Sequence, residues 1–437
     1  MSKIIFEELA RRIDTKEATI GVVGLGYVGL PLSIEIAKSG FNVIGIDSDL
    51  DKINTIKSCD STLCGVKLSD HHDLLEHKSL IPTSNTKELE QCDCIIICVP
   101  TPLRKTRDPD LTFVINAVSK VVEAHKKTQL VVLESTTYPG FTKEILLPTL
   151  ETTGTIDKDW FLAFSPERID PGNMGFNTQT TPKVIGGITK YSTTLACRLY
   201  QKFIHTIEPV SSTEVAEMSK LLENTFRAVN IGLINEMAIM ARKLHINIWD
   251  VIDAAATKPF GFMPFYPGPG LGGHCIPIDP HYLSWKLRSV QQEARFIDMA
   301  SQINRNMLDH VVQITQRALN KQKKCVNGSR ILALGVAYKP NVSDTRESPA
   351  LEIMQTLHEM GADVVYHDPH VSSIAIGGQQ MNSYPISDLA GIDCALVLTH
   401  HSSIDLNPLC STKNLIIVDT RGATRRHSNP LAYIELL

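Results

Sequence analysis

Short apolar runs rich in β-branched residues alternate with helix-compatible stretches along the first 140 residues of the chain. Each of four runs is long enough for one buried strand: ATIGVVG, FNVIGID, CDCIIICVP and QLVVLES. This alternation predicts a parallel sheet whose strands are joined by crossover helices. The pattern returns after the turn signal Asn327-Gly328, in SRILALGVA, ADVVYHD, DCALVLTH and LIIVDTR. The sequence therefore predicts an α/β protein with a second, smaller α/β unit at its C-terminal end.

The segment between the two α/β regions is helical in character. Residues 211–257 contain no proline and a single glycine, and their apolar residues fall on several helical faces. Either one long helix or two helices joined near His245 fits this pattern, with burial by a neighbouring domain or a second subunit. The proline- and glycine-rich stretch from Lys258 to Pro280 predicts an irregular loop, after which helical patterns resume to about Lys324. The predicted domains are 1–210, 211–325 and 326–437.

Composition excludes several classes of partner. The formal net charge of −4 offers no basic stripe for a nucleic acid. The N-terminal stretch carries charges every few residues and has no apolar signal region, and no other stretch is long enough for a membrane span, so we expect a cytoplasmic protein without a membrane partner. Ten cysteines, several in apolar runs, indicate reduced thiols. Cys92 and Cys94 have no second pair at metal-binding spacing, so no metal site is predicted.

A glycine-rich loop follows the first predicted strand, Ile20 to Val23, and leads into a helix-compatible stretch. Its sequence is Gly24-Leu25-Gly26-Tyr27-Val28-Gly29, and the next apolar run ends in Asp47. Glycines let a backbone approach a pyrophosphate, a helix N-terminus offers unpaired N–H groups, and a carboxylate at this distance accepts ribose hydroxyls. Asp47 would repel a 2′-phosphate, so the loop predicts binding of NAD rather than NADP. The alternative is a glycine-rich turn in a domain that binds nothing.

Polar residues also follow the next two predicted strands. Thr101 lies in Pro100-Thr101-Pro102, and Thr136 lies in Ser135-Thr136-Thr137. Open α/β sheets bind ligands at the carboxyl ends of their strands, although ordinary turns use the same residue types.

The Pro/Gly-rich loop contains a cysteine unlike the others. Cys275 lies in Gly272-Gly273-His274-Cys275-Ile276-Pro277-Ile278-Asp279-Pro280, where glycines leave room for a substrate and Asp279 could organise a cation or water. An unreactive loop cysteine remains the alternative.

One face of the central helical segment carries polar side chains. Lys220, Asn224 and Arg227 recur at i, i+4 and i+7 among apolar neighbours, which indicates either a partly buried cleft or an ordinary surface face. Glu167 and Arg168, in Ser165-Pro166-Glu167-Arg168, add a carboxylate and a second cation.

These motifs, in this order, resemble the UDP-glucose/GDP-mannose dehydrogenase family from Gly21 to Arg421. The matching segments are GVVGLGYVGLP, VPTP, EST, SPER, the Lys220/Asn224 helix, GGHCIPIDP and GVAYKPNVSDTRESPA. The resemblance implies two Rossmann-like doubly wound domains joined by a long central helix, and a homodimer or higher homo-oligomer formed through that region. It also implies oxidation of a nucleotide-sugar C6 alcohol to a carboxylate, with two NAD consumed and a Cys275 thiohemiacetal and thioester on the way.

The resemblance assigns roles to individual residues. The catalytic residues it implies are Cys275, Lys220, Asn224, Asp279, Glu167 and Thr136. The NAD contacts it implies are Gly24, Gly26, Tyr27, Val28, Gly29, Asp47, Lys52, Thr101, Thr136 and Arg346. The substrate contacts it implies are Glu167, Arg168, Lys220, Asn224, Arg227, Tyr266, Gly272, Tyr338, Lys339 and Arg421, with the nucleotide on the C-terminal domain.

The motifs also bear on the substrate. His274 and Ile278 stand where the UDP-glucose branch commonly has serine and lysine, which weakens UDP-glucose. The SPER motif followed by Asp170-Pro171-Gly172-Asn173 resembles UDP-N-acetylglucosamine 6-dehydrogenases, with UDP-N-acetylmannosamine as the main competitor and UDP-N-acetylgalactosamine as a further substrate. A non-catalytic sensor would be expected to lack Cys275, Lys220 or Asp279, and a two-electron dehydrogenase would need no loop thiol.

Overall fold

The computed structural model describes residues 2–59, 61–104, 106–169, 175–273 and 276–437. The chain forms two compact units. The N-terminal unit comprises Met1–Glu223 with His281–Gln291, and the C-terminal unit comprises Asn224–Pro280 with Gln292–Leu437.

Helices cover much of both units. In chain order they are α1 (Ser2–Asp14), α2 (Gly29–Lys38), α3 (Leu50–Ser58), α4 (His72–Glu76), α5 (Thr112–Glu123), α6 (Leu147–Leu150), α7 (Lys190–Tyr200), α8 (Thr213–Lys243), α9 (Ile248–Ala256), α10 (Asp279–Arg288), α11 (Arg295–Lys321), α12 (Pro349–Glu359) and α13 (Asn407–Cys410). Leu68–His71 and Thr86–Gln91 form 3-10 turns, and a π-helical turn at Thr142–Leu146 leads into α6. No helix in the described part of the chain is long and apolar enough to cross a membrane.

The N-terminal unit is built on one large sheet. Its strands are β1 (Thr19–Val23), β2 (Asn42–Ile46), β5 (Leu80–Thr83), β6 (Cys94–Ile97), β7 (Gln129–Leu133), β8 (Trp160–Phe164), β9 (Lys183–Gly187) and β10 (Ile207–Pro209), with β3 (Thr62–Leu63) and β4 (Val66–Lys67) in a separate hairpin. The order across the sheet is β10-β9-β8-β7-β6-β1-β2-β5, and within it only β8 and β9 pair antiparallel among the described residues. The four predicted strands are confirmed as β1, β2, β6 and β7. They are buried on both faces, as parallel strands between helical layers must be.

The C-terminal unit contains a second parallel sheet. Its order is β12-β11-β15-β16-β17, formed by β11 (Arg330–Leu334), β12 (Asp363–His367), β15 (Cys394–Val397), β16 (Ile416–Asp419) and β17 (Tyr433–Leu436). A hairpin of β13 (Ser373–Ile376) and β14 (Gln379–Asn382) lies apart from that sheet. The predicted second α/β unit is therefore confirmed, and β17 and the hairpin are additional elements that the apolar runs did not predict.

The central helical segment consists of two helices. α8 ends at Lys243, and His245 adopts a left-handed conformation with φ of 56° that no helix interior tolerates. Asn247 then caps α9, its side-chain oxygen accepting the Trp249 N–H at 3.0 Å. Of the two alternatives for residues 211–257, the break near His245 is the observed one.

Candidate active site

The glycine-rich loop between β1 and α2 has the form of a dinucleotide cradle. Gly24 has φ of 94°, and a Cβ on it would lie 2.7 Å from the Cys98 carbonyl oxygen. A Cβ on Gly26 would meet nothing within 4 Å, so this glycine borders open space. No side chain caps the N-terminus of α2, which begins at Gly29. Its first N–H groups and its positive dipole end therefore suit a pyrophosphate.

Asp47 follows β2 and faces the glycine-rich loop. Its Oδ2 accepts the Leu25 N–H at 2.8 Å and the Lys52 ammonium at 2.7 Å, and its Oδ1 accepts the Asp49 N–H at 3.0 Å. These contacts hold the carboxylate beside the glycine-rich loop, at the end of the second strand, where a carboxylate of a dinucleotide-binding domain accepts ribose hydroxyls. The glycine-rich loop and Asp47 are therefore suited to binding NAD. The predicted NAD contact Lys52 lies beside the Asp47 carboxylate.

Two polar loops lie at the carboxyl ends of β6 and β7. The Ser135 hydroxyl donates to the Val99 carbonyl at 2.8 Å, which ties the loop of Thr136 to the end of β6. The Tyr282 hydroxyl, from α10, donates to the Thr101 carbonyl at 3.0 Å. Both predicted threonines therefore lie at the sheet edge where α/β domains bind ligands.

Glu167 follows β8 and is held from several sides. Its Oε1 accepts the N–H groups of Arg168 at 2.7 Å and Ile169 at 2.5 Å, and its Oε2 lies 3.3 Å from the Lys183 ammonium. Burial alone would raise the pKa of Glu167, but Lys183, the Ile169 N–H and Lys220 outweigh it and leave that pKa below its ordinary value. Glu167 and Lys220 thus act on each other within the N-terminal unit.

Arg168 is occupied by neighbours. Its guanidinium contacts the Glu223 carboxylate at 2.8 Å and donates to the Pro182 carbonyl at 2.8 Å. Arg168 therefore braces the segment after Glu167 against the first turns of α8.

The polar face of α8 is buried at its first two positions. Lys220 is 8% exposed and Asn224 is 5% exposed, whereas Arg227 is exposed. The Asn224 amide nitrogen donates to Asp279 Oδ2 at 2.5 Å, inside the C-terminal unit. Asp279 is the first residue of α10 and is itself buried, so its carboxylate also lies favourably at a helix N-terminus.

The described residues of the Pro/Gly-rich loop are irregular as predicted up to Ile278, whereas Asp279 and Pro280, which the prediction included in the loop, begin α10. The loop packs closely on the C-terminal sheet domain. A Cβ on Gly268 would lie 2.5 Å from the Arg421 guanidinium. Cβ atoms on Gly272 and Gly273 would lie 2.9 and 2.7 Å from Tyr338. The glycines are thus required where the loop meets two of the predicted nucleotide contacts.

A cavity of about 350 Å³ opens beside this loop in the C-terminal unit. Trp249, Tyr266, Arg421 and Arg425 line it, and the Trp249 and Tyr266 rings are stacked with centroids 6.0 Å apart. Burial lowers the pKa of Arg421 to about 10, so this side chain stays cationic at neutral pH. Stacked rings and guanidinium groups suit a base and phosphates.

The remaining predicted residues are distributed as follows. Tyr338 and Lys339 follow Gly335 after β11, and Arg346 lies further along the same unit with its guanidinium on the Asp344 carboxylate at 2.6 Å. Cys275 and His274 lie outside the described residues, as does the Asp170–Asn173 motif.

Several buried polar residues near these sites were not singled out from the sequence. They are Glu134, Lys183, Tyr200 and Glu217 in the N-terminal unit, and Asp368 and His401 in the C-terminal unit. The available signal was a charge inside or at the end of an apolar run, as in VVLES and PKVIGG.

Comparison with known proteins agrees with this architecture. Residues 18–204 match the NAD-binding domain of the UDP-glucose/GDP-mannose dehydrogenase family, residues 214–306 its central domain, and residues 332–426 its UDP-binding domain. A UDP-N-acetyl-D-mannosamine dehydrogenase of Methanococcus maripaludis (strain C7) is 36% identical, with 92% of each chain covered. A UDP-N-acetyl-D-glucosamine 6-dehydrogenase of Pseudomonas aeruginosa is 38% identical, covering 82% of this chain and 84% of that one.

Solved structures show the same fold. The UDP-D-ManNAc dehydrogenase of Pyrococcus horikoshii is 31% identical, with a TM-score of 0.85 over 95% of this chain and 98% of that one. Fold and site together define an NAD-dependent nucleotide-sugar dehydrogenase, an oxidoreductase whose substrate is a UDP-sugar. The chain belongs to the UDP-glucose/GDP-mannose dehydrogenase family.

Proposed function

We propose that this enzyme oxidises the C6 hydroxyl of a UDP-N-acetylhexosamine to the uronic acid, with UDP-N-acetylglucosamine as the first candidate. The reaction consumes one water and two NAD and releases a carboxylate, two NADH and protons. Four electrons leave the same carbon, and a covalent intermediate would retain the aldehyde between the two oxidations; Cys275 is the residue we assign to it.

The observation that carries the proposal is the anchoring of the loop on both sides of Cys275. On one side, Gly272 and Gly273 pack against Tyr338. On the other, Asp279 is held by the Asn224 amide. A loop fixed at these two ends is suited to presenting a thiol to a sugar whose nucleotide is bound by the C-terminal unit.

The chain's own residues then have distinct tasks. The Cys275 thiolate adds to the C6 aldehyde to give a thiohemiacetal, and the second oxidation leaves a thioester that water cleaves. Lys220 and Asn224 donate to the oxyanions along this path, each contributing about 3 kcal/mol in a desolvated site. Glu167 takes the proton of the hydrolytic water. The loop of Gly24–Gly29 and Asp47 would hold NAD, which would supply the hydride acceptor for both oxidations.

The nucleotide half of the substrate is assigned to the C-terminal unit. We assign the base to the stacked rings of Tyr266 and Trp249, and the diphosphate to Arg421, Lys339 and the Tyr338 loop. Arg346 is proposed to contact NAD, and Arg168 and Arg227 to face the sugar side.

The N-acetylhexosamine is proposed from the relatives and from the nucleophile loop. Relatives at 36% and 38% identity are named for UDP-N-acetyl-D-mannosamine and UDP-N-acetyl-D-glucosamine, so the mannosamine epimer is the second candidate. His274 and Ile278 replace the serine and lysine common in the UDP-glucose branch.

The test measures NADH formed with UDP-N-acetylglucosamine, UDP-N-acetylmannosamine, UDP-N-acetylgalactosamine, UDP-glucose and GDP-mannose. We expect two NADH per N-acetylhexosamine consumed and a uronic acid as product. One NADH with an aldehyde product would refute the four-electron reaction. Cys275→Ser should abolish carboxylate formation, and turnover near the wild-type rate in that variant would exclude the thioester.

We also propose that the enzyme is a homodimer formed along α8. Exposed apolar side chains recur every three or four residues, with one longer gap, along one side of this helix: Val215, Met218, Leu222, Phe226, Leu233, Met237, Met240 and Leu244, each between 39% and 69% exposed. A continuous apolar stripe of this length favours a second copy as its partner. Leu233→Asp should give monomers in light scattering, whereas Leu431→Asp, at a comparably exposed site outside the stripe, should not. A Leu233→Asp dimer would exclude this surface.

A further inference from the structure

A buried ammonium lies between two carboxylates directly behind Glu167. Lys183, the first residue of β9, is 5% exposed, and its Nζ lies 2.8 Å from Glu134 Oε2 and 3.3 Å from Glu167 Oε2. Glu134, at the end of β7, is 1% exposed. The hydroxyl of Tyr200, the last residue of α7, contacts Glu134 Oε1. The row Glu167, Lys183, Glu134 thus runs from the candidate active site into the core.

Burying such a row of charges costs free energy of folding, so its presence indicates a functional role. Buried ion pairs are often no more stable than apolar residues of the same size, because desolvation offsets the attraction. The row itself also carries an excess negative charge, since its two carboxylates share one ammonium, and the further cation Lys220 acts on Glu167 from outside the row. It therefore has room for one proton.

The two carboxyl groups differ in their affinity for that proton. Burial raises the pKa of Glu134 to about 7, despite the lowering effect of Lys183 and the hydrogen bond from Tyr200. Glu167 has a pKa below its ordinary value, because Lys183, a backbone N–H and Lys220 outweigh its burial. Cys98 is also near Lys183 and is itself a neutral thiol, its pKa raised well above the ordinary value by burial.

The low pKa of Glu167 conflicts with its proposed role as the general base in hydrolysis. A carboxylate with a low pKa is a weak base at neutral pH, and general bases work best when their pKa lies near the operating pH. Coupled groups titrate as a unit, however, and the fully ionised cluster takes up one proton near pH 7. Glu167 becomes an effective base if the proton it takes from water can pass to Glu134.

We propose that Lys183 and Glu134 are positioning residues that orient Glu167 and relay away the proton it accepts. Lys183 gives one N–H proton to Glu134 Oε2 and takes the proton of the Glu167 carboxylic acid. Glu167 and Lys183 then regain their charges, and the proton ends on Glu134, next to the Tyr200 hydroxyl. No other reactant is needed. The inference rests on the proposed role of Glu167 in hydrolysis.

Two substitutions separate a relay from simple support. Glu134→Gln removes the proton acceptor but keeps a hydrogen-bonding group of the same shape. Lys183→Arg keeps the positive charge and offers several N–H donors to the two carboxylates, but a guanidinium does not give up its proton in proteins. If Lys183 only supports Glu167, the Lys183→Arg variant should hydrolyse the thioester at a rate near that of wild type. If it relays, both variants should fail in the same step.

The decisive measurement is the pre-steady-state release of NADH with the accepted UDP-sugar. We expect both variants to release two NADH per active site in a burst and then to hydrolyse the thioester roughly 10²-fold more slowly than wild type at pH 7. The limb of the pH–rate profile near pH 7 should disappear in Glu134→Gln. Near-normal hydrolysis in Lys183→Arg, or an unchanged pH profile in Glu134→Gln, would overturn the relay.

A matched control and a second readout complete the test. Asp93 is 1% exposed and is paired with Arg12 and Lys127 at 2.6 and 2.8 Å, so Asp93→Asn removes a similarly buried carboxylate elsewhere in the unit and should leave the burst and pH profile unchanged. Carboxyl ¹³C NMR of the resting protein should show, besides the signal of Glu217, a second carboxyl signal titrating near pH 7 that is lost in Glu134→Gln. Its absence would overturn the inference, whereas failure of the wild type to release two NADH would instead refute the proposed function.

Discussion

Alanine at two glycines of the same loop should damage the enzyme in two different ways. A Cβ on Gly29 would lie 1.8 Å from the Gly24 carbonyl oxygen, whereas ordinary contacts are roughly 3.5 to 4.0 Å. The clash is with the backbone, so no side-chain rotation can relieve it. A Cβ on Gly26 meets no atom within 4 Å and would occupy the space that we assign to the pyrophosphate.

The magnitudes follow from these contacts. Gly29→Ala forces the turn apart, an overpacking change that costs about 3 kcal/mol, at the upper end of the usual range. In a unit of this size that corresponds to a fall in Tm of roughly 6 to 12 °C. Gly26→Ala should leave the free energy of unfolding within about 0.5 kcal/mol of wild type. It should instead weaken NAD binding at least tenfold, or by about 1.4 kcal/mol.

Thermal unfolding without ligand and calorimetric titration with NAD measure the two effects separately. The expected pattern is a large loss of Tm for Gly29→Ala alone, and a loss of NAD affinity without loss of Tm for Gly26→Ala. Equal destabilisation of both variants would contradict the difference in packing at the two glycines. Wild-type NAD affinity in Gly26→Ala would show that the open space above Gly26 is not the cofactor site.

Three further outcomes are expected. Asn224→Ala removes the donor to the buried Asp279 carboxylate and should cost about 1 to 3 kcal/mol in stability, measured by urea unfolding, with kcat reduced as well. Burial raises the pKa of Glu217 to about 7 from 4.5, so the folded protein keeps a proton that the unfolded chain releases, and stability falls as pH rises between those values. The stability advantage of wild type over Glu217→Gln should therefore shrink by up to about 3 kcal/mol across that window, and a constant difference would contradict it. NAD should titrate calorimetrically to one site per chain.

The parts of the fold that the sequence predicted are those governed by local patterns. Strands buried on both faces appear as uninterrupted apolar runs, and the run before Gly24 is indeed a fully parallel central strand. The break between α8 and α9 could have been decided from the sequence too, because Asn247 is a preferred helix cap. Both alternatives fit the sequence because the helical periodicity continues across His245.

The parts that the sequence left out depend on contacts between distant residues. Lys183 begins an apolar strand and Glu134 ends another, and 49 positions separate them in the chain. The local sequence around either residue does not show that their side chains meet, because the contact crosses β8, which lies between β7 and β9 in the sheet. Lysines are mostly exposed in folded proteins, and only the alignment of three strands in the sheet shows that Lys183 is buried beside Glu134.

The two α/β domains use the same turn with opposite consequences. Gly24 and Gly335 both have positive φ, and each lies against a carbonyl after the neighbouring strand, that of Cys98 or Thr399. Each turn is followed by an aspartate at the end of the next strand, Asp47 or Asp368. Asp47 accepts one N–H from its glycine-rich loop, at Leu25, and one from Asp49, together with the Lys52 ammonium.

Asp368 is saturated by its own domain. It accepts N–H groups from Val336, Ala337 and His370, and its Oδ2 lies 3.0 Å from Nε2 of His401, which is fully buried. The other His401 nitrogen accepts the Asn341 N–H, so this histidine is the neutral tautomer that donates to Asp368. A ribose diol could reach Asp368 only by displacing a buried hydrogen bond. The carboxylate at the position of Asp47 in this second domain instead holds the backbone at Val336 and Ala337, just before Tyr338 and Lys339, which agrees with the match of the first domain to an NAD-binding domain and of the second to a UDP-binding domain.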